Sequence, residues 1–158
     1  MGEVSYVLDT SALMAHVLSE PGWDIVDELL QEHSEDAAIS AVTWLEFNIL
    51  ARANASDAEE AAEVLALYQD LLADAIPATR EVAAVALELR TLAAKRLPNA
   101  DALIAATTQL AGATLVHRDP HLAAIPQNVV KQIVLPHQQT PVAAQEPAPP
   151  PARRRKRA

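Results

Sequence analysis

The chain has 158 residues, 51% of them hydrophobic and 21% charged, which is enough for one compact domain with a core and too little for two ordinary ones. It has no cysteine and only 3% aromatic residues, so disulfides and thiolate metal sites are excluded, and extended stacking of single-stranded bases is disfavoured. The formal net charge is −9, but residues 1–140 carry 20 acids against 7 bases, a net of −13, and such a surface repels phosphate at long range.

The segment Glu3–Leu8 reads as a short buried strand of β-formers running into Asp9-Thr10-Ser11. Thr10 or Ser11 is the expected cap of a helix through Ala12–Leu18. Pro21 suits the first position of the next helix, whose apolar face is Trp23, Ile25, Val26, Leu29 and Leu30. Ala37–Ser40 is a second strand and Thr43–Ala53 a helix. A further helix, Asp57–Ala73, is entered through Ser56 with Glu59 and Glu60 in its first turn. Ala75–Pro77 is a candidate third strand. Thr79–Arg96 is helical and closed by Pro98; Asn99 caps a helix through Leu110, with Gly112 just past its end. Ala113–His117 and Gln132–Leu135 complete the strands. Short apolar strands alternating with longer helices predict an α/β domain on a parallel sheet.

From about Pro136 the composition changes, with six of the 11 prolines and the basic run Arg153-Arg154-Arg155-Lys156-Arg157. Residues 1–136 are therefore expected to fold, and 137–158 to form a disordered Pro-rich tail with a basic end. That end suits phosphate contacts, a nuclear-localisation pattern or plain solubilisation. No run approaches the roughly 20 apolar residues that span a bilayer, and the N-terminus lacks the layout of a signal peptide. A soluble cytoplasmic protein without a membrane partner is the expectation.

Four acids fall where an α/β sheet displays its chemistry. Asp9 follows the first strand and Asp119 lies two residues past the fourth, so both face the crevice beyond the strands' carboxyl ends. Asp101 lies in the first turn of a helix. Glu46 sits beside the stripe Val42, Leu45, Ile49 and Ala53, which places a carboxylate against the expected core-facing side. Each acid has a structural reading: backbone bonding for Asp9, the helix dipole for Asp101, a cap before Pro120 for Asp119, and a buried Arg52 or Arg80 partner for Glu46. Taken together they are carboxylates that repel unless a cation compensates. An all-oxygen cluster suits Mg²⁺ or Mn²⁺, which activates water and steadies a phosphodiester. Thr43, one turn before Glu46, can bond it or back-bond within the helix. Trp23 and Trp44 read as core or interface anchors.

The runs VLDTSAL (7–13), ISAVTWLEF (39–47), NADALIAAT (99–107) and GATLVHRDPHL (112–122) resemble, in order and spacing, the four motifs of the PIN-domain ribonucleases. More narrowly, they resemble the VapC-type toxins of toxin–antitoxin pairs. The resemblance implies a PIN-like three-layer α/β/α sandwich around a short parallel sheet and a Mg²⁺- or Mn²⁺-dependent endoribonuclease. It also implies a homodimer, an RNA substrate and a cognate antitoxin. Asp9, Glu46, Asp101 and Asp119 are then both the catalytic and the metal-binding acids, and Ser11 is the supporting hydroxyl. His117 departs from the Thr or Ser usual there and reads as a structural histidine; His121 reads as a surface helix residue rather than a ligand. Two rivals remain: a catalytically weak PIN-like module that binds protein or RNA, and a phosphoryl-transfer receiver or dehalogenase-type phosphatase. Ser11 in place of a second acid, and His117-Arg118 in place of a lysine, argue against the latter.

Overall fold

The computed structural model describes residues 2–137. The segment read as a tail therefore lies outside the described residues apart from His137. Four short strands, β1 (Tyr6–Leu8), β2 (Ala37–Ala38), β3 (Thr114–His117) and β4 (Gln132–Val134), form one parallel sheet in the order β2-β1-β3-β4. Among the described residues, seven helices pack on its two faces: α1 (Thr10–Val17), α2 (Trp23–Glu32), α3 (Ala41–Asn54), α4 (Ala58–Leu71), α5 (Arg80–Leu92), α6 (Asn99–Ala111) and α7 (Pro120–Ala123).

The period-two alternation of strand side chains builds three layers. Leu8 and Val116 point into one core with Leu13, Val26, Leu30, Phe47 and Leu65, from α1 to α4. Val7 and Leu115 point into the other with Val82, Leu89, Ile104 and Leu122, from α5 to α7. Alanines on α6 (Ala102, Ala105, Ala106) let that helix lie close against the sheet. The α/β/α sandwich expected from the sequence is the observed fold.

Local chemistry shifts several boundaries. Asp9, not Thr10 or Ser11, caps α1, its carboxylate accepting from the Ser11 N–H. Asp57 caps α4, while the Glu60 carboxylate reaches back to the Ser56 N–H at 2.5 Å, a reciprocal cap that displaces Ser56 from the role. Asn99 is the first residue of α6 rather than its cap; Pro98, in extended conformation, precedes it without a side-chain bond. Ala75–Pro77 forms no strand: Ile76 makes a single parallel bridge to Ser40 along the outer edge of β2. Helix α5 ends at Leu92, short of Arg96.

Gly22, not Pro21, opens α2, at φ 94°. A Cβ there would lie 3.0 Å from Leu135 Cβ and 3.2 Å from Pro136 Cδ. Backbone strain and a clash with the end of the last strand act together. Gly22→Ala is therefore expected to lower stability by about 1–3 kcal/mol, read as a fall in the thermal midpoint; an unchanged midpoint would show that this junction yields freely.

Candidate metal centre

Parallel strands align their carboxyl ends along one edge of the sheet, and all four acids belong to elements that meet there. Asp9 leaves β1 and Asp119 caps α7 just past β3. Helix α3, capped by Ser40 two residues past the end of β2, carries Glu46. Helix α6 runs back toward the start of β3, so its N-terminal turn brings Asp101 to the same edge.

Asp9 is only 3% exposed. Its Oδ2 accepts from the Ser11 N–H at 3.0 Å and the Ser11 hydroxyl at 2.5 Å. The same hydroxyl oxygen accepts the Arg118 N–H at 3.0 Å, so Ser11 joins the loop after β1 to the loop after β3. Burial pushes the Asp9 carboxyl above its usual range. The Ser11 bonds oppose that, and the nearby Asp119 charge adds to it. Asp101 is pushed up to about 7, first by burial and then by the charges of Asp119, Asp9 and Glu46; His121 pulls the other way. One carboxylate thus senses the other three.

Glu46 accepts the Thr10 hydroxyl at 2.8 Å. The core-facing stripe expected beside it is not observed. Leu45 and Ile49 are 62% and 58% exposed, and α3 buries Thr43, Phe47 and Ala51 instead. Apolar residues lie on both sides of this helix, and the bulky Phe47 takes the core. Glu46 consequently stands at the margin of the site rather than in the core, without Arg52 or Arg80. Among the described residues, no Lys or Arg forms an ion pair with any of the four acids; Arg118 pairs with Glu20. Thr43 bonds neither Glu46 nor the helix backbone, and its buried hydroxyl has no partner.

His117 is fully buried and both its nitrogens are committed. Nδ1 accepts the Asp119 N–H at 3.0 Å, so Nε2–H donates to Gln132 Oε1 at 2.8 Å. Gln132 is fixed in turn by donating to the Ile125 carbonyl. The histidine is structural, as read from sequence, and it also sets the start of the loop bearing Asp119.

Two participants escaped the sequence reading. Thr10 steadies Glu46, a link across 36 residues that no local pattern announces. His121 is not a plain surface residue: its Nδ1 lies 3.1 Å from Asp119 Oδ1 and 3.8 Å from Asp101 Oδ2. Its position two residues past the Asp119 cap was the available signal. Trp44 packs at the edge of the core near Phe47, whereas Trp23 is 45% exposed.

A family model, the PIN domain, matches residues 6–128, a span that includes all four acids and every element from β1 to α7. The chain belongs to the PIN domain family. Among solved structures, this PIN domain is similar to FitAcB from Neisseria gonorrhoeae, with 25% identity and a TM-score of 0.62 over 79% of this chain and 94% of that one. It is similar to VapBC2 from Rickettsia felis, solved bound to a DNA fragment from its promoter, with 21% identity and a TM-score of 0.66 over 84% and 100%. It is also similar to VapBC-5 from Mycobacterium tuberculosis, a member of the VapBC family of toxin–antitoxin systems, with 23% identity and a TM-score of 0.59 over 84% and 99%. No curated protein sequence matches the chain. Among the described residues, no helix is long and apolar enough to cross a membrane.

The donor chemistry of the site fits a divalent cation. Carboxylates converge without a Lys or Arg partner, and burial together with the neighbouring charges pushes Asp101 toward neutrality.

Proposed function

We propose that this PIN domain is an endoribonuclease dependent on Mg²⁺ or Mn²⁺, the toxin of a toxin–antitoxin pair, with Asp9, Glu46, Asp101 and Asp119 as its catalytic and metal-holding acids. The observation that carries the reading is that the buried Asp101 carboxyl senses the charges of Asp119, Asp9 and Glu46, with no Lys or Arg paired to any of the four among the described residues. Bound at these acids, such a cation supplies an activated water and charge stabilisation at a phosphodiester. The chain's own residues hold the geometry. Ser11 fixes Asp9 and ties the β1 and β3 loops together, Thr10 fixes Glu46, and His117 fixes the backbone at Asp119. A cation also offsets the acidic field that would otherwise repel RNA.

The similar solved structures include a toxin–antitoxin complex and a member of the VapBC family of toxin–antitoxin systems, which supports an antitoxin as partner; the homodimer in this reading rests on the family resemblance alone. The exposed Leu45 and Ile49, on the helix that carries Glu46, offer a protein partner apolar area beside the site. Residues 1–136 are the ribonuclease domain in this reading, 137–158 an appended tail, and the protein cytoplasmic.

Purified full-length chain incubated with structured RNA is expected to cleave it internally with Mg²⁺ or Mn²⁺ and not with EDTA. Binding of RNA without cleavage under any of these ions would favour a non-catalytic binding module instead.

A further inference from the structure

We propose that His121 is a ligand of this metal centre, placing an imidazole nitrogen beside Asp101 and Asp119, and that this nitrogen biases the site toward Mn²⁺ and its transition-metal neighbours over Mg²⁺. The inference rests on the proposed metal-site reading and adds to it a donor of different chemistry. One ligand atom from each of Asp101, Asp119 and His121 lies within 4.8 Å of the other two. The His121 Nδ1 contacts are 3.1 Å to Asp119 and 3.8 Å to Asp101. Donors bound at about 2.1 Å around an octahedral ion are separated by about 3.0 Å when adjacent and about 4.2 Å when opposite. The 3.1 Å contact matches an adjacent pair, and the 3.8 Å contact lies between the two separations, within a small side-chain adjustment of either.

The ring is delivered there by the chain. Asp119 caps α7 and accepts the His121 N–H at 2.7 Å, and Pro120 fixes the backbone between them. The imidazole side chain is 52% exposed, so Nε2 can carry the ring proton toward water and leave the Nδ1 lone pair free. His117, four residues earlier, has no lone pair to offer, because both of its nitrogens are bonded inside the fold. Carboxylates and water suit Mg²⁺ and Mn²⁺ alike, whereas an imidazole nitrogen is a donor that Mg²⁺ takes poorly and first-row transition metals, Mn²⁺ least among them, accept. The rival role for His121, donating Nδ1–H to Asp119 as a reinforcement of the cap, predicts no change in metal preference.

The two roles separate by pulsed electron paramagnetic resonance of the Mn²⁺-loaded full-length chain. The expected result is nitrogen-14 modulation of the Mn²⁺ signal in the wild type, lost in His121→Ala. Mn²⁺ affinity should fall by about tenfold or more, while Mg²⁺ affinity, measured by competition, changes much less. Modulation that persists in His121→Ala, or a Mn²⁺-to-Mg²⁺ affinity ratio that does not move, overturns the assignment of His121 and leaves the carboxylate site standing. Asp101→Asn serves as the companion variant. If the wild type takes up no Mn²⁺, or if Asp101→Asn binds it undiminished, the metal-site reading itself fails, and His121 with it.

Discussion

Asp9→Asn is expected to lower RNA cleavage by on the order of 10³-fold while leaving the fold intact. The amide is nearly isosteric with the carboxylate, and its oxygen can still accept the two Ser11 bonds that hold residue 9. What it loses is the charge, in a position only 3% exposed, where an ionised group is already disfavoured by burial. The activated water and charge stabilisation that a cation held by these acids would supply are worth several kcal/mol of barrier, and each 1.36 kcal/mol is a decade in rate. The thermal midpoint in EDTA should stay level or rise, because the variant no longer buries a charge. Cleavage at the wild-type rate would remove Asp9 from the mechanism. Loss of cleavage together with a collapsed midpoint would show that the substitution broke the Ser11 linkage rather than the chemistry.

The second large effect concerns stability without metal. The Asp101 carboxyl sits at about 7 in the fold against about 3.9 in an unfolded chain. The folded state therefore holds this proton more tightly. The associated destabilisation is absent below about pH 4, grows as pH rises between 4 and 7, and is complete above 7. Replacing the acid by a neutral isostere removes it. In EDTA at pH 8, Asp101→Asn is expected to be more stable than the wild type by on the order of 2 kcal/mol, or about 5 °C in thermal midpoint. That advantage should vanish by pH 4. Added Mn²⁺ should stabilise the wild type and not the variant. A variant no more stable at pH 8, or an advantage independent of pH, would mean that burial and the neighbouring acids do not raise Asp101 as their arrangement implies.

Much of the architecture was legible because the informative signals are local. Short β-branched and leucine-rich runs ending in Asp9 or shortly before Asp119 mark strands that terminate at the sheet's chemical edge. Gly112, which adopts φ 65° after α6, marks a helix end by its backbone freedom. The failures have a common physical cause, in that two local patterns competed and tertiary packing chose. On α3, Val42, Leu45, Ile49 and Ala53 satisfy helical spacing, but so do Thr43, Phe47 and Ala51, and only the second set can seat a phenyl ring in the core. The expectation that Glu46 faces the core failed with the first set, although Glu46 still lies close enough to act on Asp101. Thr10 with Glu46 and His117 with Gln132 are pairings across 36 and 15 residues, which a one-dimensional pattern does not carry. His121 is exposed, as its place on a short surface helix suggests, but its contacts to Asp119 and Asp101 come from the fold rather than from a local pattern.

The sheet's polarity also decides how the protein should be handled. Because β1 and β4 run parallel within one sheet, Ser5 lies at the edge opposite the acids, whereas Leu135, whose N–H bonds the His117 carbonyl, is already on their side. An affinity tag or reporter fused ahead of residue 2 begins away from the crevice. One joined directly after His137 is tethered over it, where a polyhistidine sequence would compete for the very cations under study. Metal titrations on a domain ended at His137 therefore call for an amino-terminal handle, or for none.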